Sequence, residues 1–270
     1  MIRLVAFATA WLLLTYNAAA ADLTFAVTEG VTYYQTNREI QSRFQPLADI
    51  LSGAVKRPVR IVVVSAYAEL REGLDHQAFD IAFVHPAHVA LAAVKAGKYR
   101  SLAWTAGYTE YAVSLLADKN STYAKLDDLR GHTIVSPDPD SITAAMLRAL
   151  LHERGIAPDA VTIITTRYQD AVPFYVENNF AQAGATAAAS VISAWTAKGG
   201  KVIATSRPLA VKQLIAAASL APDEEERIRS ALLSLAQTEN GRHALASLGY
   251  RGFVASNREA ELAAIAWLGL

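Results

Sequence analysis

Two histidines, His85 and His88, stand three residues apart in the run Asp80-Ile-Ala-Phe-Val-His-Pro-Ala-His-Val-Ala-Leu-Ala92. The run reads as a short apolar strand entering a helix that Pro86 opens at its first turn, so the two imidazoles share one side of a helix start. Joined by a carboxylate such as Glu29 or Asp140, such a pair would suit zinc or copper. Without a third ligand, neutral imidazoles lining a polar pocket are the preferred reading, and the metal site stands as its alternative. A second junction follows the same plan: His132-Thr-Ile-Val-Ser136 is a strand, Pro137-Asp-Pro-Asp140 a turn, and Ser141 to Arg154 a helix. Ser141 and Thr143 at that helix start can cap the backbone. They can equally offer hydroxyls, beside unpaired N–H groups and a positive dipole end, to an oxyanion, and the residues alone leave both roles open. Asp140 sets a carboxylate beside the same spot and is expected to serve as the N-cap. In open α/β sheets small molecules bind outside the carboxyl ends of strands, and two such junctions imply two lobes.

Around these junctions strands and helices alternate. Leu23 to Thr28 is a strand, Arg38 to Leu51 a helix, Arg60 to Val64 a strand, Tyr67 to His76 a helix, Asp80 to Val84 a strand and Ala87 to Ala96 a helix closed by Gly97. Tyr111 to Ala117 reads as a strand crossing into a second lobe. That lobe comprises strands at Thr133 to Val135, Val161 to Thr165, Ala183 to Thr186 and Val202 to Thr205, with helices from Ser141, about Asp170 and Ala188. Ala210 to Leu270 reads as mostly helical and folds back on the first lobe. The expected architecture is α/β with two lobes, each a mostly parallel sheet flanked by helices, and a ligand in the cleft between them. Lobe 1 takes residues 22–109 and 207–270, lobe 2 residues 110–206, and the lobes close about Ala106 to Tyr111 and Thr205 to Leu209.

Residues 1–21 read as a secretory signal peptide: Met1-Ile-Arg3 is positive, Val5 to Leu14 apolar, and Asn17 to Asp22 rich in small residues. The apolar run is shorter than the roughly 20 residues that span a bilayer, so the mature chain is expected to be soluble, uninserted and periplasmic. The chain has no cysteine, which excludes disulfides, thiolate metal sites and a lipidated cysteine. Its 25 Lys and Arg balance 25 Asp and Glu with no long run of one sign, which excludes electrostatic capture of nucleic acid. G-x-S-x-G, G-x-G-x-x-G, P-loop and H-E-x-x-H patterns are absent, so no enzymatic reaction and no cofactor are expected; a secreted hydrolase with an unrecognised site is the remaining alternative. A monomer that takes a small ligand is the expected form.

Phe44-Gln-Pro-Leu-Ala-Asp-Ile-Leu51, Asp80-Ile-Ala-Phe-Val-His-Pro-Ala87, Tyr111, Leu126-Asp-Asp-Leu-Arg-Gly131 and Ser136-Pro-Asp-Pro-Asp-Ser141 follow one another in an order that resembles the phosphonate/phosphite-binding proteins of ABC importers. The resemblance covers nearly the whole mature chain and implies the type 2 periplasmic-binding-protein fold. It also implies an oxyanion ligand and a partner that is an importer permease or a membrane sensor. It carries ligand contact onto Ser141, Thr143 and Tyr111, and less directly onto Tyr67. Tyr33, with Tyr34, Trp104 and Tyr108, is a candidate wall for an organic ligand. Where the family favours a Ser/Thr-rich turn followed by Gly, the chain has Asp140 before Ser141 and Ile142-Thr-Ala144 after it, and it has Gln169 where the family usually has a histidine and Gln182 where an acidic residue often sits. Arg167 could compensate Asp140 by turning inward.

Overall fold

The computed structural model describes residues 21–29 and 36–270. Residues 1–20 of the leader, Tyr33 and Tyr34 therefore lie outside the described residues. The first sheet begins with β1 (Leu23–Thr28), and α1 (Asn37–Val55) follows behind a capping box in which Thr36 and Glu39 satisfy each other's backbone N–H groups. Phe44, Leu47, Ala48, Leu51 and Val55 form the buried stripe of α1. Next come β2 (Val59–Val63), α2 (Tyr67–Asp75), β3 (Ile81–Val84) and α3 (Ala87–Lys95). All four residues of β3 are buried, as a central strand covered on both faces requires. Then β4 (Tyr99–Thr105) leads across to β5 (Ser114–Ala117) in the second sheet.

The second sheet continues with β6 (Thr133–Ser136), α4 (Ile142–Glu153), β7 (Thr162–Thr165), α5 (Val172–Glu177), β8 (Ala183–Thr186), α6 (Ala189–Ala197) and β9 (Lys201–Thr205). The chain then returns to the first sheet as β10 (Gln213–Ala217). It ends with α7 (Pro222–Ser234), α8 (Glu239–Leu248), β11 (Phe253–Ala255) and α9 (Arg258–Leu268). The strand orders are β11-β4-β10-β3-β1-β2 and β7-β6-β8-β5-β9.

The sheets are mixed, which corrects the expectation of mostly parallel ones. β1 pairs in parallel with β2 and β3, but β10 runs antiparallel to β3 and β4, and β5 antiparallel to β8 and β9. The cause is the double crossing. A strand arriving from the other sheet starts at the facing edge and must run away from it, against its neighbours. The stretch from Ala210 is mostly helical, as expected, but it also supplies two strands to the first sheet. Gln213-Leu-Ile-Ala-Ala217 is a fully buried central strand and Phe253–Ala255 an edge strand. Alanine favours helix in isolation, and the vacancy between β3 and β4 overrides that preference. β5 starts at Ser114 rather than Tyr111. Tyr111 instead forms an isolated antiparallel bridge with Leu209 on the returning crossing, N to O 3.2 Å one way and 2.9 Å the other.

The two bodies also touch through helices. Ala87 and Leu91 of α3, Met146, Leu147 and Leu150 of α4, and Ala264 and Ile265 of α9 share one apolar cluster. Gly184 in β8 allows the close approach of α5: a Cβ there would lie 2.3 Å from Val172 Cγ1 and 3.1 Å from Val135 and Val176 methyls.

Candidate functional site

The carboxyl end of β6 and the start of α4 carry Ser141 as the N-cap, its Oγ accepting from Ala144 N at 3.2 Å. Capping uses an oxygen lone pair and leaves the hydroxyl hydrogen available. The N–H groups of Ile142 and Thr143 have no carbonyl one turn back to reach, as at any helix start. Asp140 is not the cap. Its Oδ2 pairs with Arg71 Nη2 of α2 at 3.1 Å, a half-exposed link between the two bodies, so its charge is offset by a neighbouring cation.

Thr143, Tyr111 and Gln169 come together although they lie far apart in sequence. The order of donation follows from Gln169. Its Oε1 accepts from Ala187 N at 2.7 Å and Thr186 Oγ1 at 3.2 Å, so its Nε2 is the end that donates to Tyr111 Oη at 3.3 Å. Tyr111 Oη in turn lies 2.8 Å from Thr143 Oγ1, a bond in which either hydroxyl can donate. Thr143, Thr186 and Gln169 are all buried. The result is a relay of neutral donors ending at a helix N-terminus. The Gln169 amide donates without titrating.

Thr186 was not evident from sequence; a hydroxyl at a strand end is its only signal. Ser136 ends β6 with a buried Oγ that has no partner. Gln182 lies elsewhere: its Oε1 accepts from Thr133 N at the opposite end of β6. Arg167 is exposed and lies over the Tyr168 ring, 5.3 Å from its centroid, so it does not turn inward. Tyr67 is buried as the first residue of α2. Trp104 lies in β4 with a buried, unpartnered Nε1.

His85 follows β3 and is buried, its Nδ1 3.0 Å from Val211 O. A carbonyl only accepts, so Nδ1 carries the hydrogen and Nε2 presents a lone pair. Burial, with Lys212 nearby, pushes the His85 pKa down to about 4. Burial and Arg148 push His88 down to about 4 as well. Both imidazoles are neutral at pH 7, so neither meets an anion as a cation. The carboxylates that a metal reading would recruit are engaged by cations, Glu29 by Arg43 and Asp140 by Arg71. Among the described residues no group of three His, Asp or Glu is placed to hold a metal ion.

The model of the ABC transporter phosphonate periplasmic substrate-binding protein family matches residues 30–260. The chain belongs to this family. Its fold is shared with XAC2383 of Xanthomonas citri bound to ATP, with a TM-score of 0.77 at 16% identity over 92% of this chain and 97% of that one. It is similar also to a binding-protein component of an ABC phosphonate transporter from Pseudomonas aeruginosa (TM-score 0.64, 19% identity, 92% and 85% covered). A third is PhnD1 of Prochlorococcus marinus in complex with methylphosphonate (TM-score 0.66, 13% identity, 91% and 96% covered). The family is a periplasmic substrate-binding component of importers, which pairs a small-molecule ligand with a permease. Among the described residues no helix is long and apolar enough to cross a membrane.

Proposed function

We propose that this protein captures a small oxyanion of the phosphonate class between its two sheets and delivers it to a membrane importer. The relay from Gln169 through Tyr111 to Thr143, ending at the α4 N-terminus, is the observation that carries this reading. Hydroxyl and backbone donors satisfy the oxygens of a tetrahedral anion, and the two crossings supply a hinge. On this reading residues 1–21 are a cleaved leader, and the lobes are 22–109 with 207–270, and 110–206. Ser141, Thr143, Tyr111 and Gln169 contact ligand, the mature protein is a soluble monomer, and no reaction is catalysed. Calorimetry with methylphosphonate tests it. Thr143→Val and Ser141→Ala should each weaken binding by about 1–3 kcal/mol, the cost of leaving an anion oxygen short of a donor in a desolvated site. Unchanged affinity in both variants would confine these hydroxyls to capping and packing.

A further inference from the structure

The turn that leads into α4 brings negative charge of its own to the anion site. Asp138 Oδ1 accepts from Asp140 N at 2.8 Å, and Asp138 O accepts from Ser141 N at 2.9 Å, so the Asp138 carboxylate folds back onto the backbone just before the N-cap. Asp140 precedes Ser141 directly in the chain. Against these two carboxylates the second body sets Arg148 of α4, whose Nη1 donates to Pro139 O at 3.0 Å. With that one cation the turn keeps a net negative charge, beside the hydroxyls and N–H groups offered to an anion.

The balancing charge comes from the other body. Arg71 of α2 meets Asp140 with Nη2 to Oδ2 at 3.1 Å, the two side chains being 43% and 49% exposed. Two guanidiniums then face two carboxylates. His88, at the start of α3, lies in the fields of Arg148, Asp140 and Arg71 but is neutral and adds no charge. The contact joins α2 on the first sheet to the turn before α4 on the second, so opening of the cleft draws its partners apart.

We infer that Arg71 is a positioning residue for the anion site: it reaches across the cleft to neutralise Asp140, so that the α4 turn changes from opposing an anion to accepting one as the bodies close. This rests on the oxyanion and hinge readings above and adds to them the residue that couples ligand charge to closure. Arg71 acts through Asp140 and does not touch the ligand. By the reciprocity of linked equilibria, an anion bound beside Asp140 favours the form in which Arg71 is in place. Solvent screens a pair this exposed, so its effect on overall stability is small and its effect on affinity moderate.

The test measures methylphosphonate affinity by calorimetry and its dissociation by stopped-flow fluorescence, both at low salt. Arg71→Ala should weaken binding by about threefold to tenfold, chiefly through faster dissociation, because the pair forms only once the cleft has closed over the ligand. Asp140→Asn removes the opposing charge and should bind at least as tightly as wild type. In that background Arg71→Ala should change nothing further. Arg71→Lys keeps the cation and should keep most of the affinity, and added salt should shrink the loss in Arg71→Ala. Wild-type affinity in Arg71→Ala, weaker binding in Asp140→Asn, or a double variant as weak as Arg71→Ala would each overturn the inference. Wild-type protein that binds no methylphosphonate would instead refute the oxyanion reading itself.

Discussion

Acid should destabilise this protein before its carboxylates titrate, because unfolding lets one buried and one half-buried histidine take up protons that the fold refuses. His85 and His88 have folded-state pKa values of about 4 against 6.5 for the free side chain. Between those values the unfolded chain binds protons that the folded chain refuses, so stability is present in full above pH 6.5 and drains away as the pH falls toward 4. Worked from those two values, each histidine removes about 2 kcal/mol between pH 7 and pH 5, and the pair about 4 kcal/mol, a large share of a typical domain's stability. Denaturant unfolding at half-unit pH steps would measure it. His88→Leu removes one of the two contributions without breaking a hydrogen bond, since the His88 Nδ1 has none, and should roughly halve the slope. Stability that stays level from pH 7 to 5, or a slope unaltered in His88→Leu, would refute the view that burial keeps these imidazoles neutral.

Gly184→Ala should lower stability by about 1–3 kcal/mol, because its methyl would overlap Val172 Cγ1 at 2.3 Å and force α5 off β8; thermal melting checks this. Gln169→Met leaves Ala187 N–H without its acceptor in a buried site and breaks the relay, so it should cost about 1–3 kcal/mol in unfolding experiments and also weaken anion binding; loss of neither would dismiss the relay. Ligand should shrink the scattering radius as the bodies close about the paired crossings, and an unchanged envelope with confirmed binding, in a protein shown to be open without ligand, would discount the hinge. Arg71→Ala should change stability by less than about 1 kcal/mol, since its partner Asp140 is half exposed and solvent screens the pair.

Local pattern determined much of this molecule. The burial of Ile81–Val84, the amphipathic stripe of α1, and the strand-to-helix junctions at Pro86 and Ser141 are written in short-range periodicity and turn chemistry, and the structure keeps them within a few residues. The order of those segments also carried the family. Tertiary structure decided what depends on distant partners. Gln213–Ala217 is helix-forming by composition and becomes a strand because β3 and β4 leave a gap for it. Asp140 does not cap because α4 starts at Ile142 with Ser141 as its N-cap, and it pairs instead with Arg71, 69 residues earlier. Thr186 and Arg71 carry no motif, since a hydroxyl or a charge gains its role only from the neighbours that folding brings to it. Backbone preference is local and legible, whereas pairing and desolvation act between residues that only the fold makes adjacent.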